Sequence, residues 1–167
     1  MQLVEFNKAS QQDAITFLKH CLQIPSWSQQ LEAKRPFESV EAVMELAKQQ
    51  ASTWTWEEIK TALDKHPRIG EKKAQSELSE LEQDFSKREQ AAINVDRETE
   101  EALLKGNIAY ENKYGYIFLI KASGLNSGEV LQALNYRLLN DADSEKRIVH
   151  HQLAEIALLR LSQELQA

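Results

Sequence analysis

His66 stands in the run Lys65-His66-Pro67-Arg68-Ile69-Gly70, where a histidine, a proline and a glycine meet between two helical patterns. Histidine is the side chain whose proton moves near neutral pH, so general acid or base chemistry would begin here. Proline disfavours the α region for the residue before it, which stops the helix carrying Leu63 at or before His66. The last carbonyls of that helix favour a cation, and the pyrrolidine ring fixes the direction in which the chain leaves. On these residues alone His66 is either a posed proton donor or a helix terminator that shields carbonyls. A second candidate set is Ser86, Glu89, Gln90 and Ile93, a stripe centred about 100° from the apolar stripe of Leu78, Leu81, Phe85 and Ala92. Polar groups on the shoulder of a buried stripe either line a cavity or form a solvated flank. The third candidate is Arg160, within about 60° of Val149, Leu153 and Ile156 on the helical wheel. A guanidinium on an apolar face needs an anion, because burying it without a partner is costly. Three outcomes are open: a protein acid such as Glu89, a substrate carboxylate, or snorkelling past the helix end.

The elements that position these groups read as helices. Ser10 and Asp13 form a capping arrangement for a helix with Ala14, Phe17, Leu18, Cys21 and Leu22 on one stripe, and Pro25 is expected to close it. A short segment around Trp27 and Leu31 leads to the turn Arg35-Pro36-Phe37. Ser39 caps a third helix with Val40, Val43, Leu46 and Ala47 inward, and Thr55 with Glu58 caps a fourth, whose Trp56, Ile59 and Leu63 face leads to His66. The amphipathic helix of Ser86, Glu89 and Gln90 follows, with about five turns. Another runs from about Asp96 to Tyr114, with Gly115 where a left-handed cap belongs. Tyr116-Ile117-Phe118-Leu119-Ile120 reads as a short buried strand, yet no second good strand exists to pair with it. Its backbone groups need partners, which a ligand, side chains or water would supply. Ser127 to Leu139 is a further helix, and Asp143 or Ser144 begins the last. The expected fold is all-α: a single-domain bundle of about eight helices over residues 1–167, with one short extended segment near 116–120.

Composition narrows the function. Hydrophobic residues at 42 % and charged residues at 28 % suit a globular chain, and 167 residues suit one core. A net charge of −6 without a basic stripe argues against nucleic acid and acidic membranes as partners. The single cysteine, Cys21, reads as a small core residue and forms no intramolecular disulfide. Met1-Gln2-Leu3-Val4-Glu5 carries no basic region leading into an apolar stretch, and no run reaches membrane-spanning length, so a cytoplasmic location is expected. His150-His151 is a poor metal pair, since adjacent helix residues point about 100° apart. No GxGxxG, P-loop, Gly-x-Ser-x-Gly or Cys-x-x-Cys motif occurs, so no metal or cofactor is expected.

His66-Pro67-Arg68-Ile69-Gly70, followed by Ser86-Lys87-Arg88-Glu89-Gln90-Ala91, resembles the 2-oxo-4-hydroxy-4-carboxy-5-ureidoimidazoline (OHCU) decarboxylase family of uric-acid degradation. Trp27, Arg35-Pro36-Phe37, Lys113-Tyr114-Gly115-Tyr116-Ile117-Phe118, Arg137-Leu138, Glu155-Ile156 and Arg160-Leu161 follow in the order that family shows. Ser79-Glu80-Leu81-Glu82-Gln83 repeats the Ser-x-x-Glu-Gln pattern on almost the same face, about 10 Å away along the axis. Glu89 is preferred because Ala91 and Ala92 follow it as small residues do in the family; in the other register the carboxylate is Glu82.

The resemblance implies cofactor-independent, stereospecific decarboxylation of a ureidoimidazoline carboxylate to (S)-allantoin. The substrate's C=N is an electron sink for the breaking C–C bond, so neither metal nor pyridoxal phosphate is required, and the neighbouring carbon must then be protonated on one face. The family's proton-transfer histidine maps to His66 and its acidic partner to Glu89. Pro67, Ser86, Gln90, the backbone of Ile117, Phe118, Leu119 and Ile120, and Arg160 map to its substrate contacts. Arg160 would either hold the carboxylate or orient Glu89. The homodimer expected for this chain comes from the resemblance alone. Two rivals stand beside this reading: a non-catalytic helical interaction module, and a lyase or hydrolase acting on another small carboxylated heterocycle.

Overall fold

Most helix starts among the described residues are set by side chains that accept the first, otherwise unbonded backbone N–H groups. The computed structural model describes residues 1–68, 85 and 96–167. Among the described residues eight helices form: α1 (Leu3–Lys8), α2 (Gln11–Cys21), α3 (Pro25–Ala33), α4 (Val40–Ala51), α5 (Trp56–Leu63), α6 (Arg97–Tyr114), α7 (Ser127–Arg137) and α8 (Ala142–Glu164). The Ser10 hydroxyl accepts the Asp13 N–H at 3.1 Å and the Ser39 hydroxyl accepts the Ala42 N–H at 3.1 Å. At α5 the capping box closes in both directions, Glu58 N–H to the Thr55 hydroxyl at 3.2 Å and Thr55 N–H to the Glu58 carboxylate at 3.0 Å. The Ser26 hydroxyl also donates to Glu58 and is the main reason its carboxyl lies below the usual range.

The described elements depart from the sequence expectation at the starts of α3 and α8 and by one additional helix. Pro25 opens α3 rather than closing α2, because its preset φ and missing N–H suit the first helical position. Asp141 starts α8, accepting the Ser144 N–H at 2.7 Å, slightly upstream of the expected Asp143 or Ser144. The expectation also omits α1, a six-residue helix whose capping box is built by Gln2 and Glu5. Most of the helix expected across Ser86, Glu89 and Gln90 lies outside the described residues; Phe85, from its apolar stripe, is helical and buried. The 116–120 segment joins no sheet among the described residues.

The chain divides into two compact units, Met1–Ala62 with Ala154–Ala167, and Leu63–Leu153. In the first, Phe6, Phe17, Leu18, Trp27, Leu31, Ile59 and Leu161 are buried. Trp27 turns its edge to Trp54 and donates its indole N–H to the Ala47 carbonyl at 3.1 Å. Arg35 closes α1 by donating to the carbonyls of Phe6 at 2.6 Å and Ala9 at 2.8 Å, and it pairs with Glu32 at 2.9 Å. In the second unit Leu103, Tyr110, Phe118, Val130, Leu134, Val149 and Leu153 are buried. Full burial of such a side chain stabilises by about 1.5–3 kcal/mol. An exposed pair such as Arg97 with Glu101 contributes about 1 kcal/mol at most, so the interior holds the fold.

Candidate active site

The segment carrying His66 leaves α5 under close backbone control. The His66 N–H donates to the Leu63 carbonyl at 3.0 Å, tightening the turn that Pro67 requires. His66 is half-buried and Pro67 buried. Arg68 then reaches the last turn of α6, where its Nε donates to Glu111 Oε1 at 2.5 Å. Nothing in the spacing singles out Glu111. Its one local signal is its place four residues before the glycine that ends the helix.

That glycine, Gly115, has φ of 85°, a left-handed conformation, and its N–H donates to the Glu111 carbonyl at 2.8 Å. The chain leaves it as the 116–120 segment, in which Tyr116 lies in a bend and 117–120 are neither helix nor strand. Phe118 and Leu119 are buried, and Ile117 and Ile120 half-buried. Among the described residues no backbone-to-backbone hydrogen bond joins 117–120 to another segment. Side chains serve part of this backbone instead: Arg137 Nη1 donates to the Leu119 carbonyl at 2.7 Å, and Gln152 Oε1 accepts the Lys121 N–H at 2.8 Å.

Arg137 is held in turn by Glu145, a fully buried carboxylate at the start of α8. Arg137 Nε lies 2.8 Å and Nη2 2.6 Å from Glu145 Oε1. The Tyr110 hydroxyl donates to the same oxygen at 2.5 Å, and Asn140 Nδ2 to Oε2 at 3.1 Å. The guanidinium carbon stands 4.5 Å from the centre of the Phe118 ring. The buried charge pair is thus compensated by hydrogen bonds on both partners, as such a pair must be. Burial, reinforced by the bond to Glu145, pushes the Tyr110 phenol far above its usual range, and burial pushes Tyr116 up to about 12. Arg137-Leu138 was legible as a motif; its partner Glu145 was not.

Arg160 belongs to the first unit and is 2 % exposed, which rules out snorkelling. Its Nη1 donates to the Cys21 carbonyl at 3.1 Å, at the C-terminal end of α2, where a cation is favoured. A backbone carbonyl from another helix is a partner that periodicity along α8 does not indicate. His66, Pro67 and 117–120 belong to the second unit. Ser86, Glu89 and Gln90, together with the alternative Glu82, lie outside the described residues. His150 is half-buried and His151 exposed, and among the described residues no cluster of three or more His, Cys, Asp or Glu is placed to hold a metal ion. No described helix is long and apolar enough to cross a membrane.

The class defined by these features is an all-α protein with a histidine at the end of one helix and a non-helical segment leaving the left-handed cap of another. Its architecture matches the crystal structure of an OHCU decarboxylase in the presence of (S)-allantoin, with a TM-score of 0.73 and 22 % identity over 88 % of this chain and 95 % of that one. The OHCU decarboxylase family model matches residues 7–162, and the chain belongs to that family. It is 23 % identical over 165 residues to a uric acid degradation bifunctional protein of Bacillus sp. (strain TB-90), covering 98 % of this chain and 32 % of that protein. The chain therefore spans about a third of that relative's length. It is 24 % identical over 139 residues to a 2-oxo-4-hydroxy-4-carboxy-5-ureidoimidazoline decarboxylase of Haloferax volcanii, covering 83 % of this chain and 80 % of that one.

Proposed function

We propose that this chain is a carboxy-lyase that converts 2-oxo-4-hydroxy-4-carboxy-5-ureidoimidazoline to (S)-allantoin and CO2 in urate catabolism. The observation that carries the reading is the family match across residues 7–162. The C–C bond to the carboxylate breaks, its electron pair enters the adjacent C=N, and CO2 leaves. The ring nitrogen that receives the pair takes up the hydroxyl proton as the enol becomes a carbonyl, and the neighbouring carbon takes one proton from the protein. Because the substrate supplies its own electron sink, the reaction is read as independent of metal and cofactor. The protein's task is to orient the ring, exclude water and deliver one proton to one face.

His66 is assigned the proton transfer and Glu89 the partnering carboxylate. The half-buried pose of His66, with its backbone held on Leu63, supports its part. Ser86, Gln90, Pro67 and the backbone of 117–120 are read as fixing the ring and its ureido arm, by donors and acceptors that match amides. Arg160 is read as the cation for the carboxylate or for Glu89. A tight ion pair with the substrate carboxylate would aid binding yet oppose its loss as neutral CO2. Residues 1–167 are read as one domain, cytoplasmic and homodimeric.

The reading is tested by following freshly generated ureidoimidazoline by circular dichroism with wild type, His66→Ala, Glu89→Ala and Glu82→Ala. Wild type is expected to form allantoin of one hand rapidly. His66→Ala is expected to lose about 10²- to 10⁴-fold in rate, the range a general acid contributes. Loss at Glu89 with Glu82 spared supports the chosen register, and the reverse result moves the carboxylate to Glu82. A well-folded wild type no faster than uncatalysed decay sinks the decarboxylase reading.

A further inference from the structure

The loop after His66 and the segment after α6 are fastened to one helical turn. Arg68 Nε donates to the Glu111 carboxylate at 2.5 Å. Four residues on, the Gly115 N–H donates to the Glu111 carbonyl at 2.8 Å, at the point where the chain departs for 116–120. Glu111 therefore holds the first segment by its side chain and the start of the second by its backbone. Upstream, the His66 N–H is held on Leu63 at 3.0 Å. His66 thus lies between two anchors five residues apart, Leu63 and Arg68, with the stiff Pro67 between it and the second.

Resting on the decarboxylase reading above, we propose that Glu111 is a positioning residue. Through Arg68 it sets the place of His66 relative to the backbone of 117–120, and so the face from which the proton reaches the substrate carbon. The pair is a weak source of stability, because its side chains are 43 % and 23 % exposed and solvent screens them. Its effect is on geometry, where a misplacement of about 1 Å costs up to about 10²-fold in rate.

The experiment compares Glu111→Gln, Arg68→Gln and the charge-exchanged pair Arg68→Glu with Glu111→Arg. Each is measured for kcat, KM, Tm and the handedness of the product. Glu101→Gln is the control, since it breaks an exposed pair with Arg97 of the same charge type, 3.7 Å long. Each single variant is expected to lose about tenfold to a hundredfold in kcat with a smaller change in KM, Tm near wild type and some loss of handedness. The exchanged pair is expected to recover most of the lost kcat, the signature of direct coupling, and the control to match wild type. An active wild type whose single variants keep kcat within about twofold overturns the proposal, because no such coupling exists. Equal loss without recovery in the exchanged pair, or loss that tracks a fall in Tm, overturns it too. An inactive, well-folded wild type is a separate result that removes the decarboxylase reading and, with it, the role given to Glu111.

Discussion

A carboxylate with no exposure to water must have its charge met by neighbours, and Glu145 meets that requirement through Arg137, Tyr110 and Asn140. Arg137 spends a further donor on the Leu119 carbonyl, so the charge pair also pins the 116–120 segment. Removing one partner leaves the other charge buried without compensation. Glu145→Gln is therefore expected to lower unfolding free energy by about 3–5 kcal/mol in urea denaturation, whereas replacing both partners by apolar residues of similar volume costs much less. A loss below about 1 kcal/mol in the single variant would show that water reaches the pair. Before the fold is known, Arg137 is marked only by the motif Arg137-Leu138 and Glu145 is one charge among many; their burial is the missing information. Arg160 differs. Its apolar neighbours at helical spacing already mark it as inward, and it is buried, but the Cys21 carbonyl that receives it comes from the far end of the chain.

Among the elements, α6 and α7 meet at Gly106, the described glycine at which an added carbon would be most crowded. A Cβ built on Gly106 would lie 2.5 Å from Leu134 Cδ2 and 3.1 Å from its Cγ, and Leu134 is fully buried. Alanine is favoured over glycine in a helix by about 1 kcal/mol, but overpacking a filled interior costs about 1–3 kcal/mol. Gly106→Ala is accordingly expected to lower Tm, read by thermal denaturation; a rise would mean that Leu134 repacks without strain. The helix starts at Ser10, Ser39, Thr55 and Asp96 were legible because each is decided by a side chain and an N–H three residues on. The exceptions are equally local in cause. Pro25 suits either side of a helix boundary, and α1 is too short to show a hydrophobic period. Although its own box caps it, α1 is also held from elsewhere, by Arg35 at its carbonyls and by the Gln166 carbonyl accepting the Leu3 N–H at 2.7 Å.

At the scale of the whole molecule the chain carries a net charge of −6, and the proposed assembly is a pair of identical chains. Sedimentation equilibrium is expected to return twice the 19.1 kDa chain mass. A mass of one chain across the working concentration range would overturn the dimer while leaving the catalytic reading intact.

The sequence by itself determined the helical class, most helix starts, the left-handed exit at Gly115, the pose of His66 before its proline, and the inward direction of Arg160. Each follows from interactions within about one or two helical turns or from periodicity along a single helix. Tertiary structure decided the partners. Arg137 meets Glu145 across 8 residues, Arg68 meets Glu111 across 43, and Arg160 meets the Cys21 carbonyl across 139. A buried or half-buried cation requires an acceptor, but which acceptor it finds depends on how the helices pack, and no spacing in the chain encodes that.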